Sequence, residues 1–206
     1  LGLIDDGYIL ATMAQNPDVM GYEGVKAAVA ALKGENLGGA VTDTGVSVLK
    51  ASSSAAPTGD VKPAGDYKIA LITMDSIDQH WITLKEGAEK VAKELGVELV
   101  FMAPNTKDDA QQIEQVNNAV ASGCKAIIVA ANGPDAISSA LKEAEAAGVK
   151  IVYVDSPANV EAEATFSTDN TAAGKTAGET MLKALTDKGI TSGKIGIVNV
   201  NAATAS

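Results

Sequence analysis

The chain has 206 residues, 46% of them hydrophobic, and a formal net charge of −10. That is enough apolar material for a true core, in one or two domains. The acidity excludes a nucleic-acid surface, which needs clustered Lys and Arg; here the lysines are scattered among carboxylates and arginine is absent. Without arginine there is no bidentate fork for a carboxylate or phosphate, so a neutral polar ligand is favoured over an anionic one. Aromatic residues make up only 3% of the chain, leaving Ala, Val, Ile and Leu to build the core, the usual material of a parallel sheet covered by helices. The single cysteine, Cys124, excludes an internal disulfide and argues against a Cys-based metal site. Its setting between Gly123 and Lys125 suits a small, partly buried hydrophobe. No apolar run of about 18 residues offers a membrane span. No signal peptide is recognisable, although a mature protein would have lost one.

In chain order, Tyr8–Ala14 reads as a strand that leads through Gln15-Asn16-Pro17 into a long helix. Residues 51–66 are Ser, Ala, Pro, Gly and Asp with one threonine, one valine and one lysine, and are expected to form a flexible linker. From Tyr67 onward strands and helices alternate. Lys68–Thr73, Glu98–Met102, Ala126–Val129 and Lys150–Val154 are the expected strands, with helical stretches of roughly 14–18 residues between them. Leu84, Ala88, Val91, Ala92 and Leu95 make one apolar stripe, closed by Gly96; Ala110, Ile113, Val116, Ala119 and Val120 make the next. Pro134–Gly148 repeats the pattern. The alternation continues with a strand at Ala164–Ser167, a helix from Thr171 to Lys188 and a strand at Lys194–Val200. This rhythm predicts an α/β fold of right-handed βαβ units around a parallel sheet flanked by helices.

Five segments carry a family resemblance. "YKIALITMDSIDQHWITLKEGAEKVAKELGVELVF" resembles the first strand, ligand loop and first helix of the ribose-type periplasmic sugar-binding proteins. "GCKAIIVAANGPDAISSALKEAEAAGVKIVYVDSPA" is similar to their third and fourth strands with the helix between. "FSTDNTAAGKTAGETM" is similar to the crossing from the first lobe into the second. "DGYILATMAQNPDVMGYEGVKAAVAALKGE" is similar to the last crossing back, and "VTDTGVSVL" to the final strand. The resemblance implies a type I periplasmic-binding-protein fold. It also implies a circular permutation, because the Gln15 crossing comes last in the family and first here. One complete lobe is expected from residues 9–50 and 67–168, and part of a second from 1–8 and 169–206. The linker resembles the polar spacer of lipoprotein members, with Ala51 where an acylated Cys would stand. The chain therefore reads as an engineered or dissected form, soluble as given, of a periplasmic or extracellular membrane-tethered parent. The expected partners are a small sugar, a complementary chain completing the second lobe and, for the parent, a membrane permease.

Ligands of open α/β sheets bind outside the carboxyl ends of the strands. A neutral sugar needs carboxylates and amides for its hydroxyls and a flat apolar wall for its C–H surface. Asp78, Asp155, Asn170 and Gln15 can supply the first, and Trp81 with His80 the second. The resemblance places ligand contacts at these same six positions. Two departures point away from ribose itself: Ser156 stands where ribose binders often hold Arg, and His80 replaces an aromatic residue. Each candidate also has a plain structural role open to it, Trp81 as a helix-start core residue, Asp155 as a turn residue and Asn170 as an N-cap. Asn132 and Asp135 read as loop and helix-start chemistry, and Asp75 ranks below Asp78.

Two other functional classes meet obstacles in the sequence. An enzyme using the loop from Asp75 to His80 would need a hydrogen-bonded chain that neighbours on one loop rarely form, and there is one histidine in the whole chain. No Gly-rich phosphate loop follows the first strand, and neither a P-loop nor a metal-ligand cluster is present. A sugar-responsive transcription regulator shares this fold type, but no helix-turn-helix precedes the core. The expectation is non-catalytic, cofactor-free binding of a neutral sugar or polyol between two lobes, as the solute-binding component of an ABC-type importer or a sensor derived from one.

Overall fold

The structure, a computed structural model, describes residues 6, 8–9, 11–49 and 65–197, Leu49 by its backbone alone. The chain runs β1 (Thr12–Gln15), α1 (Pro17–Leu32), β2 (Ala40–Asp43), β3 (Val46–Leu49), β4 (Lys68–Ile72), α2 (Gln79–Leu95), β5 (Glu98–Met102), α3 (Asp109–Ala121), β6 (Ala126–Val129), α4 (Ser138–Ala146), β7 (Lys150–Val154), β8 (Ala164–Ser167) and α5 (Asn170–Asp187). Helix starts follow capping chemistry. Asp78, Asp108 and Asp169 each precede a helix and accept a hydrogen bond from a backbone N–H of its first turn, pairing a donor the helix itself leaves free. Gly96 ends α2 with φ 68°, a left-handed conformation that a side chain would oppose.

Six strands form one parallel sheet in the order β2-β8-β7-β6-β4-β5. Side chains alternate across it, and both faces of its inner strands are largely buried, whereas the edge strand β2 is exposed along its length. Ile69, Leu71, Ile128, Val152 and Val154 face α1 and α2; Ala70, Ile72, Ile127, Val129, Ile151 and Tyr153 face α3 and α4. The stripe predicted on α2 is buried throughout. On α3, Val116 and Ala119 are buried, but Ala110 is exposed and the position that enters the core early in the helix is the polar Gln112.

Four expectations change. The strand near the start begins only at Thr12, leaving Tyr8 and Ile9 exposed outside it. "VTDTGVSVL" is two strands: β2 joins the edge of the parallel sheet, whereas β3 pairs antiparallel with β1. Asp43 Oδ1 accepts the Gly45 N–H at 2.8 Å, and Gly45 at φ 71° turns the chain from one sheet to the other. The strand expected at Lys194–Val200 is not formed over residues 194–197; Ile195 and Ile197 are exposed there, with no neighbouring strand among the described residues to pair the backbone, and 198–200 lie outside the described residues. The helix expected from Pro134 starts at Ser138, after turns over Pro134–Ile137. The expected linker lies outside the described residues except for Gly65 and Asp66, which are exposed and in no strand.

The chain passes between the parallel sheet and its surroundings at three adjacent points, which are sewn together. Thr44 donates to Ser167 O through its backbone N–H at 2.8 Å and through its hydroxyl at 3.1 Å. Asp169 N–H donates to Asp43 Oδ1 at 3.0 Å. Asn16 precedes α1, but its side chain makes no cap there; its Nδ2 donates to Thr44 O and its Oδ1 accepts from Ser47 Oγ, each at 2.9 Å.

Candidate functional site

β4 has β5 on one side and β6 on the other, so the chain reverses direction across the sheet at β4 and opens a crevice beyond the strand ends. A cleft of about 950 Å³ lies there. All six predicted residues line it: Asp78, His80 and Trp81 after β4, Asp155 after β7, Asn170 after β8, and Gln15 at the end of β1. Segments far apart in sequence therefore meet at one place, and Gln15 Nε2 donates to Asn170 Oδ1 at 3.2 Å across 155 residues of chain.

The centre of the cleft is a pair. His80 Nε2 stands 3.2 Å from Asp155 Oδ1, close but without the alignment of a full hydrogen bond. Asp155 Oδ2 accepts from Ser156 Oγ at 2.7 Å. Burial works to raise the Asp155 pKa, but the His80 and Ser156 contacts outweigh it and hold the group below its ordinary value of 3.8. The backbone here is unusual too. Asp155 has φ 60°, and Ser156 N–H donates to Val154 O at 2.7 Å, a tight γ-turn centred on Asp155. The structural role weighed for Asp155 is thus real, and it aims the carboxylate into the cleft.

The other candidates divide similarly. Asp78 caps α2, its Oδ1 accepting His80 N–H at 3.0 Å, and its Oδ2 has no hydrogen-bond partner among the described residues. Asn170 is not the cap of α5; Asp169 is, and the Asn170 side chain meets Gln15 instead. Trp81 is only 4% exposed and belongs mainly to the core. It meets His80 edge to face, with centroids 4.7 Å apart, so the wall it offers a ligand is narrow. Asp75 is buried and structural. Its Oδ1 accepts the N–H groups of Ile77 and Asp78, and these outweigh burial to hold its pKa below 3.8, with Lys107 and the Trp81 indole adding to the effect. Sequence reasoning missed Met74, Lys107, Asn159 and Thr168, which also line the cleft. Thr168 Oγ1 is buried with no hydrogen-bond partner among the described residues; its place just before Asp169-Asn170 was the signal available. Lys107 precedes the cap of α3 and gave no periodic cue.

The sequence profile of the periplasmic binding protein domain matches residues 69–206. The chain belongs to the periplasmic binding protein family. That family is one of binding proteins and not of enzymes. Among its members, the ribose import binding protein of Escherichia coli strain K12 is 28% identical over 116 residues, covering 56% of this chain and 39% of that protein. The Haemophilus influenzae ribose import binding protein is 29% identical over 122 residues, 58% of this chain and 40% of its own. In structure, the chain is similar to the sugar-binding protein of a Bacillus halodurans sugar ABC transporter, with TM-score 0.55, 28% identity and coverage of 58% and 41%. It is likewise similar to an ABC transporter solute-binding protein from Agrobacterium vitis with bound D-fucose, with TM-score 0.51, 31% identity and coverage of 57% and 43%. The chain spans about two fifths of the length of the curated relatives it matches. Among the described residues no helix is long and apolar enough to cross a membrane.

Proposed function

We propose that this periplasmic binding protein binds a small neutral sugar or polyol in the cleft, without catalysis, as the solute-binding component of an ABC-type importer or of a sensor derived from one. The observation that carries this is the convergence of Gln15, Asp78, His80, Asp155 and Asn170 from separate strand ends on one cleft. They offer acceptors and donors suited to hydroxyl groups, and no bidentate cation for an anionic ligand. The solved relatives hold ligands of this kind, D-fucose, L-rhamnose and glycerol.

In this reading residues 9–50 and 67–168 form the first lobe, and 1–8 with 169–206 belong to a second that a further segment or complementary chain completes. Two features support it: α1 packs against α2 in the main core, whereas α5 buries no residue. The three crossings at Gln15, Thr44 and Ser167 are then the hinge about which the lobes close. The order of segments along the chain is a circular permutation of the family's, and the parent is a periplasmic or extracellular membrane-tethered lipoprotein that delivers its sugar to a permease.

Trp81, the one tryptophan, reports on the site. Its emission should change with D-ribose, D-fucose, L-rhamnose or glycerol, weakly for this chain and more tightly once a second-lobe segment is joined to it. Asp155→Asn should remove the response, while Glu143→Ala, exposed on α4, leaves it intact. A completed protein that ignores all four ligands, or an Asp155→Asn variant that binds like the parent, overturns the reading.

A further inference from the structure

Gln112 lies fully buried on α3, and its amide joins three segments. Nε2 donates to Thr73 O at 3.2 Å and to Ala130 O at 2.8 Å, carbonyls just beyond β4 and β6. Oε1 accepts the Asn132 N–H at 2.9 Å. One turn earlier on the same helix face, Asp109 accepts a hydrogen bond from Asn132 Nδ2. The next residue in the loop presses on the same carboxylate, since a Cβ on Gly133 would come within 2.6 Å of Asp109 Oδ2. Asn132 is therefore gripped by its backbone and by its side chain, both from α3, and it lines the cleft. Of its side-chain polar atoms only Oδ1 has no partner among the described residues.

We propose that Asn132 is a ligand-contacting residue whose Oδ1 accepts a hydrogen bond from a ligand hydroxyl, and that α3 positions it through Gln112 and Asp109. The inference rests on the cleft being the sugar site. On sequence grounds Asn132 reads as loop chemistry, because nothing in its neighbours shows the grip from α3, twenty residues away for Gln112 and 23 for Asp109. A buried amide that holds the ends of β4 and β6 also fixes the spacing between Asn132 and the loop carrying Asp78 and His80. That is the kind of support a binding constellation requires. A purely structural Gln112 would stabilise the strand ends without acting through Asn132, and the two roles predict different couplings.

The test titrates the full chain with D-ribose, D-fucose, L-rhamnose and glycerol, following Trp81 emission. Asn132→Ala should lower affinity for the best of the four about tenfold, the loss of one well-placed hydrogen bond in a cleft. Gln112→Met should lower it similarly and speed hydrogen exchange at the Asn132 amide. The double variant should lose little more than either single one, because both remove the same contact. Should Gln112→Met fail to fold, Asp109→Ala takes its place in the cycle, since it releases the Asn132 amide without emptying the core. Unchanged affinity in Asn132→Ala, or losses that add in full, overturns the proposal. If the parent binds and Asp155→Asn does not, while Asn132→Ala binds normally, this inference alone falls. A folded parent that binds none of the four, even with the second-lobe segment joined, removes the sugar-site reading and this inference together.

Discussion

Gly21 of α1 lies so close to Leu84 of α2 that a Cβ on the glycine would sit 2.0 Å from the Leu84 carbonyl oxygen. The contact is returned from the other helix, where a Cβ on Gly87 would sit 2.0 Å from Asp18 O. Two glycines thus set the distance at which the early helix docks on the main core. For Gly87→Ala two effects compete. Helix propensity favours alanine by about 1 kcal/mol, but overpacking against rigid backbone costs about 1–3 kcal/mol, occasionally more. Backbone cannot swing aside as a side chain can, so the second effect wins. Gly87→Ala is expected to lower the urea midpoint, and a raised midpoint would show that the helices do not meet here.

The turn at Asp155 separates two substitutions that look alike on paper. At φ 60° asparagine is tolerated nearly as well as aspartate, whereas alanine has no local hydrogen bond to offset its strain. Asp155→Ala should therefore be less stable than Asp155→Asn by about 1 kcal/mol. Equal thermal midpoints for the two variants would remove the left-handed turn from the account.

Acid should weaken the fold at the cleft first. Asp155 and Asp75 are both held below 3.8 in the folded protein, against burial, Asp155 by its His80 and Ser156 contacts and Asp75 chiefly by the Ile77 and Asp78 N–H groups. A carboxylate with a depressed folded pKa stabilises above its unfolded value, and that contribution is lost as pH falls through the folded value. The loss should appear below the ordinary carboxylate range and be smaller in Asp155→Asn, which has no proton to take up. A pH series of urea melts measures it; identical acid profiles for parent and variant would contradict the shift.

Asn16 ties β1 to the start of β3 through Thr44 and Ser47. Asn16→Ala should speed amide exchange in β1 and β3 while leaving β4, deep in the sheet, unchanged. Faster exchange throughout β4 as well would mean that the crossings and the core unfold as one unit.

Along α5, Leu182 is 65% exposed and Met181 46%, and no residue of the helix is buried. Leu182→Gln should then shift the global stability of this chain by no more than about 0.5 kcal/mol. Amides of α5 should exchange faster than those of α2 and gain protection when a second-lobe segment is joined. A large loss of stability in Leu182→Gln would show that α5 is already packed in the isolated chain.

Much of this architecture is legible in local chemistry. Val, Ile and Leu runs place β4 to β8, apolar stripes place α2 and part of α3, and Gly96 marks a helix end, because these signals act between residues close in the chain. The six cleft residues were named from strand ends and a family resemblance, and the fold does bring them together. What local chemistry could not show depends on neighbours remote in sequence. "VTDTGVSVL" is apolar and β-branched enough for one strand, yet the Asp43–Gly45 turn and the partners β8 and β1 divide it between two sheets. Residues 194–197 have strand composition but no adjacent strand among the described residues, and a strand exists only when another completes its hydrogen bonds. Gln112 breaks the apolar stripe of α3 because its partners, Thr73 O, Ala130 O and Asn132 N–H, lie on other segments. Periodicity reports how a residue faces its own helix or strand; whether a buried polar group is satisfied, or a strand is paired, is settled only where distant segments meet.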